Sequence, residues 1–547
     1  MIDAMTAIRR PLAALAIAAA LGCMAAAPAE AALTAREAAQ IAVSISDMID
    51  KEPSLPLPVR QRGPAIRAYY AKPENGLLWL ERPRMGAFIQ RLKDAADDGL
   101  DPSAYPIAQL ERLAAVSGNT DTRSKAVIEL YFSASFLEYA SDVQVGRFLP
   151  RKVDPSFYQQ DKSIDSLAAL TGLARQPDLG KFFRAWQPQN LDYEGLRQTL
   201  AQYRAFERAG GWPKVPLGET LKPGMSDPRV PAIRARLAYT DGADPRPSAQ
   251  GATYFDRGLA DAVANFQERH GLDADGNVGK ATTVALNVPV GDRIEDLILA
   301  MERIRWLPNN LGADRLMVNI AGFELKEYRQ NQLKDVMAVV VGKPYSRTPV
   351  FSDMVKYVEI NPYWNVPGTI AVKEYLPKLR QSPAGLAADG FEVVQGAKVW
   401  PVNAIDWSRY GPGNFPFQLR QRPGPKNALG RLKIMFPNQF DVYLHDTPAR
   451  TLFVKTDRAF SHGCIRLSRP IDAAVDVLSG TPGWDRARIN ATIATGDRTV
   501  ANLAKPLPIH ITYFTAWTDH GVANFRADIY EQDAKLAAAL GGRTMAW

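Results

Sequence analysis

The chain has 547 residues, with 46% hydrophobic and 23% charged content, the ordinary mixture of folded soluble protein without long disorder. It is too long for one core and should divide into about three domains of roughly 100–200 residues each. Its 66 basic and 58 acidic residues leave a net charge of +8 spread along the sequence without a dense basic run; this argues against nucleic acid and favours an acidic polymer or an anionic membrane surface.

The amino terminus reads as a secretory signal over 1–31: Arg9-Arg10, an uncharged run from Pro11 to Ala27, then Ala29-Glu30-Ala31 as a small-x-small cleavage site. An uncleaved anchor is the minority alternative, because the run is at the short edge of a bilayer span. Cys23 leaves with this segment, and Ala20 stands where a lipidation signal usually has a large aliphatic residue. The mature chain then keeps a single cysteine, Cys464, and can form no intrachain disulfide.

Residues 32–216 are predicted as a helical scaffold, from apolar spacings of three and four in 85–95 and 128–139. Trp79 is assigned to its core rather than to a groove. Residues 217–290 predict a compact unit of two amphipathic helices, an Asp275-Gly276 turn and a third short helix. His270, followed by Gly271, reads as a helix carboxy-terminal cap. A linking helix is expected over 291–314.

Alternation at Leu316, Val318 and Ile320, an apolar run from Val336 to Gly342 and further alternation to Ile360 predict a mainly β domain over 315–515. Within it, about 370–422 is an irregular Pro- and Gly-containing stretch without clear strands, expected to be an active-site lid. His510 and His520 are given surface or edge roles, and 516–547 a tail helix. The fold class is multidomain α+β.

Chemistry concentrates at Cys464. Phe440 to His445 alternates strictly, so a strand would turn Phe440, Val442 and Leu444 to the core and Asp441, Tyr443 and His445 to the opposite face. Ser461-His462-Gly463-Cys464 follows, before a helix near Ser468 with Pro470 in its first turn. A thiol attacks acyl carbons as thiolate, and a neighbouring imidazole supplies that state by taking the proton. The N–H groups of Gly463 and Cys464 are candidate oxyanion donors. A buried structural cysteine leaves the two histidines and the glycine unexplained. A zinc site built on His445, His462 and Cys464 lacks an evident fourth ligand. Nucleophilic catalysis accounts for the whole set.

His445, fifteen intervening residues and Ser461-His-Gly-Cys464 resemble the signature of the L,D-transpeptidase (YkuD-type) catalytic domain. Asn361-Pro-Tyr-Trp-Asn-Val-Pro367, Gly424-Pro-Lys-Asn-Ala-Leu-Gly430 and Phe436-Pro-Asn438 look like the large periplasmic branch of that family, and the unit from Leu221 to Leu286 is similar to a three-helix peptidoglycan-binding domain. The resemblance implies a periplasmic wall enzyme with Cys464 as nucleophile and His445 as general base. His462, Gly463 and Ser461 would shape the oxyanion site, and Tyr443, Arg466, Trp364 and Asn427 would contact substrate. Arg466 departs from many smaller members, which carry Asn or a similar polar residue there, and fits the larger branch. No cofactor and no metal are implied. The implied partners are peptidoglycan stem peptides and glycan, other wall-synthesis enzymes, and carbapenems as covalent inhibitors.

The implied reaction forms 3→3 cross-links: Cys464 takes a tetrapeptide stem as a thioester, releases D-Ala and passes the stem to a second amine. Water, a lipoprotein lysine or a free D-amino acid as acceptor are the alternatives, and a non-catalytic wall-binding scaffold is another. Thiol wall peptidases place Cys before His, the reverse of the order here.

Overall fold

The computed structural model describes residues 34–542 apart from residue 81; the expected signal segment with Cys23, and residues 543–547 of the expected tail, lie outside the described residues. Among the described residues no helix is long and apolar enough to cross a membrane.

The amino-terminal region is helical, as its spacing predicts. Its central helix, Thr122–Gln144, starts where the Asp121 carboxylate accepts the Ser124 N–H at 2.7 Å. Phe132 and Phe136 from this helix surround Trp79, which is fully buried, so Trp79 is a core residue as expected. Buried Glu129 accepts the N–H groups of Leu78, Trp79 and Leu80 at 2.8–3.0 Å, fixing the turn that carries the tryptophan.

The next unit holds the helices Val230–Ala238, Arg257–Arg269 and Lys280–Leu286 around Ile233, Phe255, Val263 and Phe266. Buried Gln267 locks the Asp-Gly turn by donating to Asp275 and Asn277 and accepting the Gly276 N–H. His270 caps its helix, with Nδ1 on the Phe266 carbonyl at 2.7 Å and its ring stacked on Phe266 and Phe525.

The helix Val290–Trp306 is the spine between the scaffold and the β domain. Its Glu302 and Arg305 pair at 2.9 Å with both side chains 1% exposed. Glu302 also accepts the Phe148 N–H, and Arg305 donates to the Tyr193 hydroxyl at 2.7 Å.

The β domain opens with β1 (Arg315–Asn319), β2 (Glu324–Arg329), β3 (Gln332–Gly342) and β4 (Phe351–Ile360). An insert then carries β5 (Trp364–Asn365), β6 (Phe391–Gln395), β7 (Lys398–Pro401) and β8 (Gln418–Gln421). There follow β9 (Leu432–Met435), β10 (Leu444–His445), β11 (Ala459–Ser461), β12 (Ile465–Leu467), β13 (Thr499–Thr512), β14 (Ala516–Asp519) and β15 (Val522–Phe525). The main sheet runs β11-β3-β12-β10-β9-β4-β13-β1-β2, and a further β3–β2 pairing closes it on itself. Alternate residues such as Val318, Val339, Ile434, Leu444, Ile465 and Ile509 fill the enclosed core.

Three expectations are corrected. The stretch from 370 to 422 is not strandless: β5 to β8 form their own sheet, with a core that includes Leu379, Val393, Trp407 and Leu419. The tail is not helical from 516. β14 and β15 form a hairpin whose two-residue turn, His520-Gly521, has positive φ at both positions, and the helix runs only over Asp533–Gly541. His510 is not at a surface or edge; it is buried in β13 between Ser352 Oγ and the Leu311 carbonyl, each at 2.9 Å, while His520 is exposed.

Candidate active site

Two short parallel strands bring the predicted residues together. Leu444 and His445 of β10 pair with Ile465 and Arg466 of β12, and the Ile465 N–H donates to the Tyr443 carbonyl at 3.1 Å. Leu444 and Ile465 point into the core. Tyr443, His445, Cys464 and Arg466 therefore share the outer face, with Cys464 beside Tyr443 and His445 one step along. The alternation read from the sequence thus assigns the faces correctly, although the strand is shorter than expected. Asn438 explains this: its amide donates to the Phe436 and Val442 carbonyls and accepts the Phe440 N–H, and Asp441 takes φ +52°.

His445 is buried, and Nδ1 lies 2.5 Å from the Asp446 carbonyl. A carbonyl only accepts, so Nδ1 carries the proton and Nε2 keeps its lone pair. Burial, with Arg466 and Lys433 nearby, pushes the imidazole pKa down to about 3. Burial pushes the Cys464 thiol up, opposed by hydrogen bonds from the Tyr443 backbone and hydroxyl and by the charges of Lys433 and Arg466. The thiol donates a long 3.7 Å contact to the Asp441 carbonyl. The resting pair is accordingly a neutral thiol and a neutral imidazole.

The nucleophile loop is tied from several sides. Ser461 Oγ donates to the Cys464 carbonyl at 2.5 Å and accepts the Gly463 N–H at 3.1 Å. The Gly463 N–H is thereby engaged, so of the two expected oxyanion donors only the Cys464 N–H stays in play; Ser461 supports the loop. Gly463 has φ +118°, a conformation side chains disfavour. Its carbonyl accepts the Thr348 hydroxyl at 2.8 Å. The Tyr530 hydroxyl in turn donates to the Gly342 carbonyl at 2.6 Å and accepts the Thr348 N–H at 3.2 Å.

His462 does not join the oxyanion loop by its side chain; its Nε2 bonds Glu374 of the insert at 2.6 Å. Trp364 is buried against Tyr375 and Phe391 in the insert core rather than open to a substrate. Asn427 is likewise turned inward. Its amide donates to the Pro362 and Arg422 carbonyls at 3.0 Å each and its oxygen accepts the Leu429 N–H, joining the two crossings into the insert. Thr348, Tyr530, Glu374 and Lys433 escaped the sequence reading. Only Lys433 left a signal there, as the outward residue between Leu432 and Ile434. Among the described residues no group of three or more His, Cys, Asp or Glu is placed to hold a metal.

A closed sheet that presents Cys464 and His445 on one outer face, under an insert, is the setting in which the comparisons fall. Residues 313–484 match the YkuD model, "L,D-transpeptidase catalytic domain", residues 226–286 a "Putative peptidoglycan binding domain", and residues 64–200 a "Scaffold domain". The chain thus carries an L,D-transpeptidase catalytic domain with a scaffold and a peptidoglycan-binding domain. A curated relative from Haemophilus influenzae, named "Putative L,D-transpeptidase", is 32% identical over 247 residues, covering 45% of this chain and 49% of the relative. The chain therefore spans about half the length of that relative. A crystal structure of the L,D-transpeptidase from Xylanimonas cellulosilytica is matched at 14% identity over 54% of this chain and 98% of the other, with a TM-score of 0.17, too low to bear on the fold.

Proposed function

We propose that this chain is a periplasmic, cysteine-dependent L,D-transpeptidase that forms 3→3 cross-links in peptidoglycan. Cys464 passes its proton to Nε2 of His445 and attacks the carbonyl joining diaminopimelate to D-Ala. The sulfur–carbon bond forms, the carbon–nitrogen bond breaks, and the imidazolium returns the proton to the departing D-Ala amine. The amine of a second stem then attacks the thioester, gives up its proton and expels the thiolate, which is reprotonated. With the Gly463 N–H engaged by Ser461, the Cys464 N–H would donate to the developing oxyanion. The insert would exclude water so that aminolysis outruns hydrolysis.

The observation that carries this reading is the shared outer face of Cys464 and His445, with Nδ1 of the imidazole committed to a carbonyl and the Nε2 lone pair left to accept a proton. The test is a tetrapeptide assay with Cys464→Ala beside the wild type. Wild type should release D-Ala, form 3→3 dimers and gain the mass of an added carbapenem. The variant should do none of these, and dimers formed by Cys464→Ala would sink the proposal.

A further inference from the structure

Lys433, whose charge acts on both Cys464 and His445, has a position that this influence alone does not account for. Reading across the sheet, Arg466 on β12, His445 on β10, Lys433 on β9 and Glu359 on β4 are successive partners. Their chain neighbours Ile465, Leu444, Ile434 and Val358 all enter the core, so these four lie on the outer face in one row. His445 is thus flanked by a guanidinium on one side and an ammonium on the other.

Glu359 and Asp441 lie near enough to act on Lys433, but neither pairs with it. The Lys433 ammonium rests 3.9 Å from the centre of the Tyr443 ring, and the neighbouring Glu359 carboxylate is held by Arg498. Among the described residues, Arg466 and Lys433 make no ion pair, and Arg466 Nε is buried without a hydrogen-bond partner. A half-buried ammonium with an aromatic face as its contact carries a desolvation cost that an arriving anion offsets. The two cations stand two strand spacings apart, about 10 Å, with the proton-accepting imidazole between them.

The transpeptidase reading, on which this inference rests, supplies a matching ligand. A tetrapeptide donor carries two free carboxylates that flank its scissile amide, one on the terminal D-Ala and one on the side chain of diaminopimelate. We propose that Lys433 is a carboxylate-binding residue of the donor site, facing Arg466 across His445, so that the row selects stems bearing a free acid on each side of the bond to be cut. Lys433 is a specificity residue here, since its ammonium would touch substrate and not the reacting atoms.

The experiment compares three donors: the tetrapeptide with both acids free, the same peptide ending in D-alaninamide, and the same peptide with the diaminopimelate side-chain acid amidated. Release of D-Ala or D-alaninamide is measured as kcat/KM for wild type, Lys433→Met and Lys433→Arg, with circular dichroism to confirm folding. Wild type should reject both amidated donors by roughly 10- to 100-fold, and Lys433 accounts for the discrimination against one of them, which identifies the acid it binds. Lys433→Met should lose that discrimination, mainly through KM on the free-acid donor, and Lys433→Arg should restore most of it. The Lys433 charge also favours the Cys464 thiolate, but that effect is common to all donors and cancels in their ratio. Equal loss on all three donors, or a wild type indifferent to both amidations, overturns the assignment while leaving the transpeptidase reading intact. A wild type inert toward every donor overturns both.

Discussion

His445 is held uncharged in the fold, with a pKa near 3, whereas an unfolded imidazole titrates near 6.5. Between those values the unfolded chain binds a proton that the folded chain does not. Stability therefore rises with pH across this window and is lost as pH falls from about 6.5 toward 3, at up to about 1.4 kcal/mol per pH unit. Buried His270 and His510 act in the same direction, so the comparison must be with a variant. Melting temperatures from pH 7 to pH 4 should fall more steeply for wild type than for His445→Gln; parallel lines would contradict the assignment. At Cys464 the sign is set by burial against Tyr443. Iodoacetamide alkylation should speed up as pH rises, and Tyr443→Phe, which removes a hydroxyl bond to the sulfur, should move the midpoint to higher pH. A midpoint shifted downward would show that the hydroxyl does not support the thiolate.

Among the elements, the alternating run from Phe440 to His445 was readable because face and period depend only on local sequence. The insert was harder to read. Phe391 to Gln395 and Lys398 to Pro401 pair across a Gly396 turn, but such short strands gain their stability from the insert core formed with Trp364 and Leu419, contacts that no local pattern displays. Asn427 shows the same limit: a polar residue in a Gly-rich loop fits a ligand or a plug equally well, and only its bonds to the backbone decide. Asn427→Ala leaves those carbonyls unpaired, at about 1–3 kcal/mol for a buried group. Hydrogen exchange should accelerate at 361–364 and 422–429 together; protection unchanged in both segments would refute the plug.

For the molecule as a whole, composition foretold several domains but not how they are joined. The join depends on residues far apart in the chain, such as Arg305 with Tyr193 and Glu302 with Phe148. Glu302→Ala strips the partner from the fully buried Arg305 and is expected to cost about 3–5 kcal/mol. A denaturant titration should show a lower midpoint, and an unchanged midpoint would mean that the spine is held by apolar packing alone.

The three-helix unit does not hang on a tether. Arg269 donates to the Ala523 carbonyl of the β14–β15 hairpin, Arg526 returns a bond to the Arg269 carbonyl at 2.8 Å, and the Asp273 carboxylate accepts the hydroxyl of Thr456, eight residues before Cys464. Grip on a polymer and bond-making would then sit on one frame. On the cross-linking proposed above, such a frame would set a stride: strands would be joined at a fixed offset from where they are held, writing a spacing into the mesh instead of stitching wherever two ends meet.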